Sequence, residues 1–163
     1  MQSNSHAQFP TVSGSNLQRT KLTLPQDFQG DRNLVLIAFQ QWQQTQVDTW
    51  IPFARQLEEI YPAVRYYELP TIQRLNTLAR TFINEGMRAG IPDLVARERT
   101  ITLYLDKKAF REALQLPAED DIYVLLLDQQ GRVLWRAEGA YTPDKGESLA
   151  AAIREGPHQK DEQ

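Results

Sequence analysis

The sequence predicts one α/β domain, a three-layer α/β/α sandwich around a central mixed sheet that finishes in a β-hairpin and a helix. Three observations predict it. Asn33–Tyr61 (NLVLIAFQQWQQTQVDTWIPFARQLEEIY) reads as a buried strand, a polar turn and an amphipathic helix in immediate succession. Val64–Leu69 and Thr100–Leu105 are strand-like stretches separated by a helical pattern. Ile122–Leu127 runs through Asp128-Gln129-Gln130-Gly131 into Arg132–Ala137, with Asp at the first position of a tight turn and Gly at its last, as an antiparallel hairpin requires.

Taken in order, Met1–Gln18 is rich in Ser, Asn, Gln and Gly and reads as a flexible tail, with too few apolar groups to offset the entropy of ordering. The domain is expected over residues 19–156, with residues 157–163 as a solvated tail. Lys21–Leu24 alternates polar and apolar, and Pro25–Asn33 is a turn region anchored by Phe28. Leu34–Phe39 is a continuous apolar run of strand length, suited to a strand covered on both faces. Trp50, Phe53, Ala54, Leu57 and Ile60 then recur at helical spacing and give one apolar stripe, with Arg55, Gln56, Glu58 and Glu59 toward water.

Val64–Leu69 (VRYYEL) is β-branched and aromatic and returns parallel to the first strand through the helical crossover. Thr71 is expected to cap a helix with Ile72, Leu75, Leu78, Ala79, Phe82 and Ile83 on its inner face, stopped by Gly90 and a turn to Asp93. Thr100–Leu105 alternates, which suggests one covered face. Asp106 can cap a short helix carrying Phe110, Ala113 and Leu114 inward until Pro117 ends it. After the hairpin, Thr142-Pro143 opens a closing helix with Leu149, Ala152 and Ile153 inside.

Composition narrows the function. A chain of 163 residues with 41% hydrophobic content can bury about two-thirds of its unfolded surface without staples. The net charge of −3 comes from 18 basic and 21 acidic residues in mixed order, so no basic face exists to track nucleic acid. No apolar run approaches the roughly 20 residues that span a bilayer, and Met1–Asn16 has neither signal-peptide order nor the Arg and Lys of a transit sequence. A soluble, cytoplasmic protein is expected. Cysteine is absent, which removes disulfides, thiolate nucleophiles and thiolate metal sites together.

Other chemistry is equally sparse. His6 and His158 both fall in the expected tails, so neither a His-dependent triad nor a metal site is expected. Glu119-Asp120-Asp121 reads as a charged loop leading into a strand rather than a cation site, because adjacent residues point in different directions. Glu58-Glu59 lies on a solvent face, and Gly86–Gly90 lacks the strand and the Lys-Ser/Thr pair of a phosphate loop. No cofactor, metal or catalytic residue is expected.

The element order β-α-β-α-β-α-β-β-α resembles the thioredoxin-like fold of thiol oxidoreductases and peroxiredoxins. Phe28, Gly30 and the strand ending at Phe39 resemble the segment before that superfamily's redox motif, and Pro52 falls where its helix-kinking proline would. LYLDKKAFREALQL and IYVLLLDQQGRVLWRAEG resemble the later strand, helix and hairpin. The resemblance places Gln44, Thr45, Gln46 and Val47 at the Cys-x-x-Cys positions and Ile122 at the cis-proline position. No sulfur can attack a disulfide there, and a cis bond before Ile122 would cost about 2.5–4 kcal/mol, so an ordinary trans peptide is expected.

Within that superfamily the sequence is most similar to the mitochondrial ATP synthase assembly factor family. Ile122-Tyr123-Val124, Leu127–Arg132, Trp135 and Gly139 carry this resemblance. It implies a non-catalytic protein-binding or complex-assembly factor without thiol redox activity, whose partner is a protein or peptide. The candidate surface is Gln41, Trp42, Gln43, Trp50 and Tyr123, at the strand end where open α/β sheets bind ligands; against it stands the plain packing of the tryptophans in the core. The alternative is an enzyme or small-ligand binder using the former redox site with non-thiol chemistry. A homodimer through Thr100–Leu105 is a further expectation if that strand lies at a sheet edge.

Overall fold

The computed structural model describes residues 7–74 and 99–155. Its elements are β1 (Val12–Asn16), β2 (Lys21–Leu24), β3 (Arg32–Ala38), a 3₁₀ turn at Gln41–Gln43, α1 (Gln44–Ile60) and β4 (Val64–Gln73). β5 (Ile101–Leu105), α2 (Lys107–Leu114), β6 (Tyr123–Leu127), β7 (Val133–Glu138) and α3 (Pro143–Glu155) follow. The strands form one mixed sheet in the order β2-β1-β5-β4-β3-β6-β7. β3 and β4 pair in parallel, as do β4 and β5, whereas β6 lies antiparallel to both β3 and β7.

The continuous apolar run of β3 has the expected cause. Leu34 and Leu36 enter a core built with Val47, Trp50, Ala54 and Leu57 of α1 and with Leu149 and Ile153 of α3. Val35 and Ile37, pointing the other way, join Phe9, Phe28, Phe110 and Leu114 on the opposite face. The sheet is therefore sandwiched between two apolar layers, and β3 is buried on both sides. Pro52 lies inside α1, as the resemblance implied.

Caps and turns follow the sequence closely. Asp106 accepts the backbone N–H of Lys108 (3.1 Å) at the start of α2, which stops at a left-handed Gln115 (φ 60°) before Pro117 is reached. Asp128 Oδ1 accepts from the N–H groups of Gln130 and Arg132, both at 2.9 Å, and locks the hairpin turn. Gly131 closes that turn at φ +84°, where an added Cβ would meet Pro25 Cγ at 2.7 Å. Gly131→Ala should therefore cost at least about 1 kcal/mol, measured as a lowered midpoint of urea unfolding.

Three expectations are corrected. The tail drawn through Gln18 is too long, because β1 pairs with both β2 and β5. Phe9 is 1% exposed, edge-on to Phe28 and Phe110. The segment's described apolar residues are few but Phe9 and Leu17 are buried, and main-chain pairing, invisible to composition, supplies the rest: Phe9 N–H donates to the Gly131 carbonyl and Val133 N–H to the Ala7 carbonyl. Secondly, Thr71 caps no helix, since β4 continues through Gln73 by pairing with β5; Leu75–Gly90 of that expected helix, the turn to Asp93, His6 and His158 lie outside the described residues. Thirdly, β5 is flanked by β1 and β4, so the expected dimer edge at Thr100–Leu105 does not exist.

Candidate functional site

At the C-terminal end of β3 the chain turns through Phe39 and Gln40 into the 3₁₀ turn and then α1. Gln43 is fully buried there. Its Oε1 accepts the N–H groups of Phe39 (2.8 Å) and Gln40 (3.2 Å), and its Nε2 donates to the Glu119 carbonyl (2.6 Å). One side chain thus satisfies three main-chain groups that the irregular turn would otherwise leave unpaired. Gln46, one helical turn on, accepts the Ile122 N–H at Oε1 (2.9 Å) and donates from Nε2 to Asp121 Oδ1 (2.8 Å).

These two contacts bear on the expected redox positions. Among the described residues only Leu24–Pro25 is cis, so the peptide before Ile122 is trans and keeps its N–H. A proline at 122 would have no N–H for Gln46 to accept. Gln43 and Gln46 both reach the segment before β6; Gln44 turns instead to Asp48 Oδ1 (2.9 Å) and Glu68 Oε1 (3.3 Å), and Val47 is buried in the core. Thr45 Oγ1 donates to the Trp42 carbonyl (3.1 Å) and stiffens the turn.

The profile of the family described as ATP10 protein matches residues 1–155. The chain belongs to the ATP10 protein family. That family comprises ATP synthase assembly factors. No curated protein sequence gives a significant match. Solved structures share the architecture at low identity. One, assigned as the thiol:disulfide interchange protein DsbE of Chlorobium tepidum, is 16% identical with a TM-score of 0.57, covering 94% of this chain and 97% of its own. BsSco, of the Sco family of cytochrome c oxidase assembly proteins, is 9% identical with a TM-score of 0.60, covering 94% and 98%. The lipoprotein thioredoxin Etrx1 of Streptococcus pneumoniae is 9% identical with a TM-score of 0.57, covering 90% and 100%. The ATP10 chain is accordingly thioredoxin-like in fold, yet has no cysteine.

The candidate surface of this ATP10 family member is narrower than its sequence suggested. Trp50 is 0% exposed, donates from Nε1 to the Gly139 carbonyl (3.0 Å) and stacks edge-on to Trp135 and Tyr141. Tyr123 is also buried, its hydroxyl accepting the Ala118 N–H (3.2 Å). Neither can anchor a ligand without unpacking the core, and Gln43 is an internal clamp. Gln41 and Trp42 remain outside, with Trp42 55% exposed.

Two cations at this end, Lys107 and Arg111, were not legible as site residues. Glu119 pairs with Lys107 (2.9 Å) and Arg111 (3.1 Å) and accepts from Gln40 Nε2 (3.0 Å). Lys107 Nζ also donates to the Phe39 carbonyl (3.2 Å). The acidic run before β6 is therefore a set of partners for the glutamines, and no group able to hold a metal ion occurs among the described residues. No helix among them is long and apolar enough to cross a membrane.

Glu68, on β4 beneath Gln44, is 8% exposed. Burial pushes its pKa above the ordinary carboxylate value; the Gln44 hydrogen bond opposes this, Asp48 adds to it and Arg55 opposes it. A raised folded-state pKa means that the native state holds the proton more tightly than the unfolded chain. Its contribution is fully present below the ordinary carboxylate pKa and is lost as pH rises through the raised value. Glu68→Gln should flatten this part of the stability–pH profile, read from urea midpoints between acid and neutral pH.

Proposed function

We propose that the chain is a non-catalytic, protein-binding assembly factor for ATP synthase, working on the aqueous side of the membrane in which the synthase is built. The observation that carries this reading is that the glutamine amides at and next to the positions expected for the redox pair, Gln46 and Gln43, are already bonded within the protein, and the match to the ATP10 family supports it. Thiol chemistry needs a sulfur nucleophile, and the sequence has none. The amides of Gln43 and Gln46 are engaged with Phe39, Gln40, Glu119, Asp121 and Ile122, which disfavours the alternative of a small-ligand site in the same place. The partner contact is assigned to the outward side of the turn, Gln41 and Trp42.

Tagged protein isolated from cells that are building ATP synthase should co-purify with synthase subunits, and depletion of the protein should lower assembled synthase. Repeated recovery of no subunit would sink the reading. Purified protein should reduce insulin disulfides and peroxide no faster than a heat-treated control; turnover above that control would equally count against it.

A further inference from the structure

Trp42 is one of two large apolar side chains left exposed among the described residues, and it sits on a turn that is unusually well fixed. The buried Gln43 clamps the turn from within, and Thr45 ties the Trp42 carbonyl to the first turn of α1. The ring is thus presented at low conformational cost, a property of aromatic anchors at interfaces. Ile60, the other exposed apolar residue, ends α1 and has no comparable setting.

Charge says what such an anchor would meet. Three of the glutamines around Trp42 hold carboxylates: Gln40 holds Glu119, Gln44 holds Asp48 and Glu68, and Gln46 holds Asp121. Asp120, exposed, lies between two of these in sequence. Among the described residues, Lys107 and Arg111 are both committed to Glu119, and Arg55 acts on Glu68. Asp48 and Asp120, both exposed, lie on the helix that follows the Trp42 turn and on the loop hydrogen-bonded to it, and an exposed indole beside carboxylates attracts guanidinium and ammonium groups twice over, through the ring quadrupole and through the local field.

We infer that the Trp42 turn docks an extended, Arg- or Lys-bearing segment of a partner protein, with one cationic side chain stacked on the indole and others facing Asp48, Asp120 and Asp121. The inference rests on the protein-binding reading above and gives its partner a chemistry. An acidic or purely apolar segment would meet repulsion or an unmatched rim.

A fluorescein-labelled peptide of alternating Arg and Leu, titrated with the full chain and followed by anisotropy, tests it. The Arg/Leu peptide should bind, and its Glu/Leu and Gln/Leu counterparts should bind at least about tenfold more weakly. Trp42→Ala, and separately the double variant Asp48→Asn with Asp120→Asn, should each weaken binding about five- to tenfold, and added salt should weaken it further. Unchanged thermal midpoints would show that both variants fold. Failure of the Arg/Leu peptide to bind, equal binding of the Glu/Leu peptide, or undiminished binding by Trp42→Ala would each overturn the inference.

Co-purification separates this from the wider reading. If Trp42→Ala recovers synthase subunits as well as the unaltered chain does, this surface is wrong while the assembly role stands. If the peptide binds in a Trp42-dependent way but no subunit is ever recovered, the surface stands and the assembly role falls.

Discussion

Trp50→Ala is expected to lower the stability of the domain by about 3–5 kcal/mol. The residue is 0% exposed on α1, and its ring meets Phe53 and Trp135 at centroid separations of 6.4 Å and Tyr141 at 5.2 Å. Truncation leaves a cavity between α1, β7 and the start of α3, and it also leaves the Gly139 carbonyl, now paired at 3.0 Å, without its donor. Trp50→Phe should recover most of the packing and none of the hydrogen bond, so it should fall between the two. Urea unfolding of the three proteins, monitored by circular dichroism, checks the order; a loss below about 1 kcal/mol for Trp50→Ala would show that the ring is not packed as described.

The second large effect is expected at Gln43. Gln43→Leu keeps the side chain's bulk but removes its acceptor and donor, leaving the Phe39 and Gln40 N–H groups and the Glu119 carbonyl without this partner. The expected cost is about 2–4 kcal/mol, from more than one unsatisfied main-chain group in a water-poor site. Because the same side chain fixes the Trp42 turn, hydrogen exchange at Phe39 and Gln40 should accelerate before the rest of β3 does. Loss of stability without local acceleration would mean that the clamp does not hold the turn. Neither prediction invokes the partner, so both test the fold of the site independently of its use.

Much of this fold was legible because hydrophobic period and turn chemistry agree along the chain. The β3 run, the Asp106 cap and the Asp128–Gly131 turn each announce themselves by local pattern. What was not legible depended on pairing between distant residues. β1 carries a Gly and two Ser, and nothing local distinguishes it from a tail; its two neighbouring strands make it a strand. Thr71 and Ile72 fit a helix start by propensity, and β5 alone overrides that preference. At the candidate site the run of glutamines suggested an open polar surface. Whether an amide faces solvent or bonds to main chain cannot be read from residue type, so Gln43 and Gln46 looked alike with Gln41 until their partners were known.

The corner where Ala7–Phe9 meet Gly131 and Val133 bears on how the molecule comes into being. Gln8 Nε2 donates to the carbonyl of Gln130, 122 positions later in the chain. A nascent polypeptide leaving the ribosome therefore presents Phe9 long before the hairpin that pairs with its main chain has been made. Until then Phe9 lacks the Phe110 ring and the Gly131 pairing that hold it, and has only the Phe28 ring to pack on. Chains stalled on the ribosome before the Asp128–Gly131 turn should accordingly be cut by protease near Phe9, whereas released full-length chains should resist.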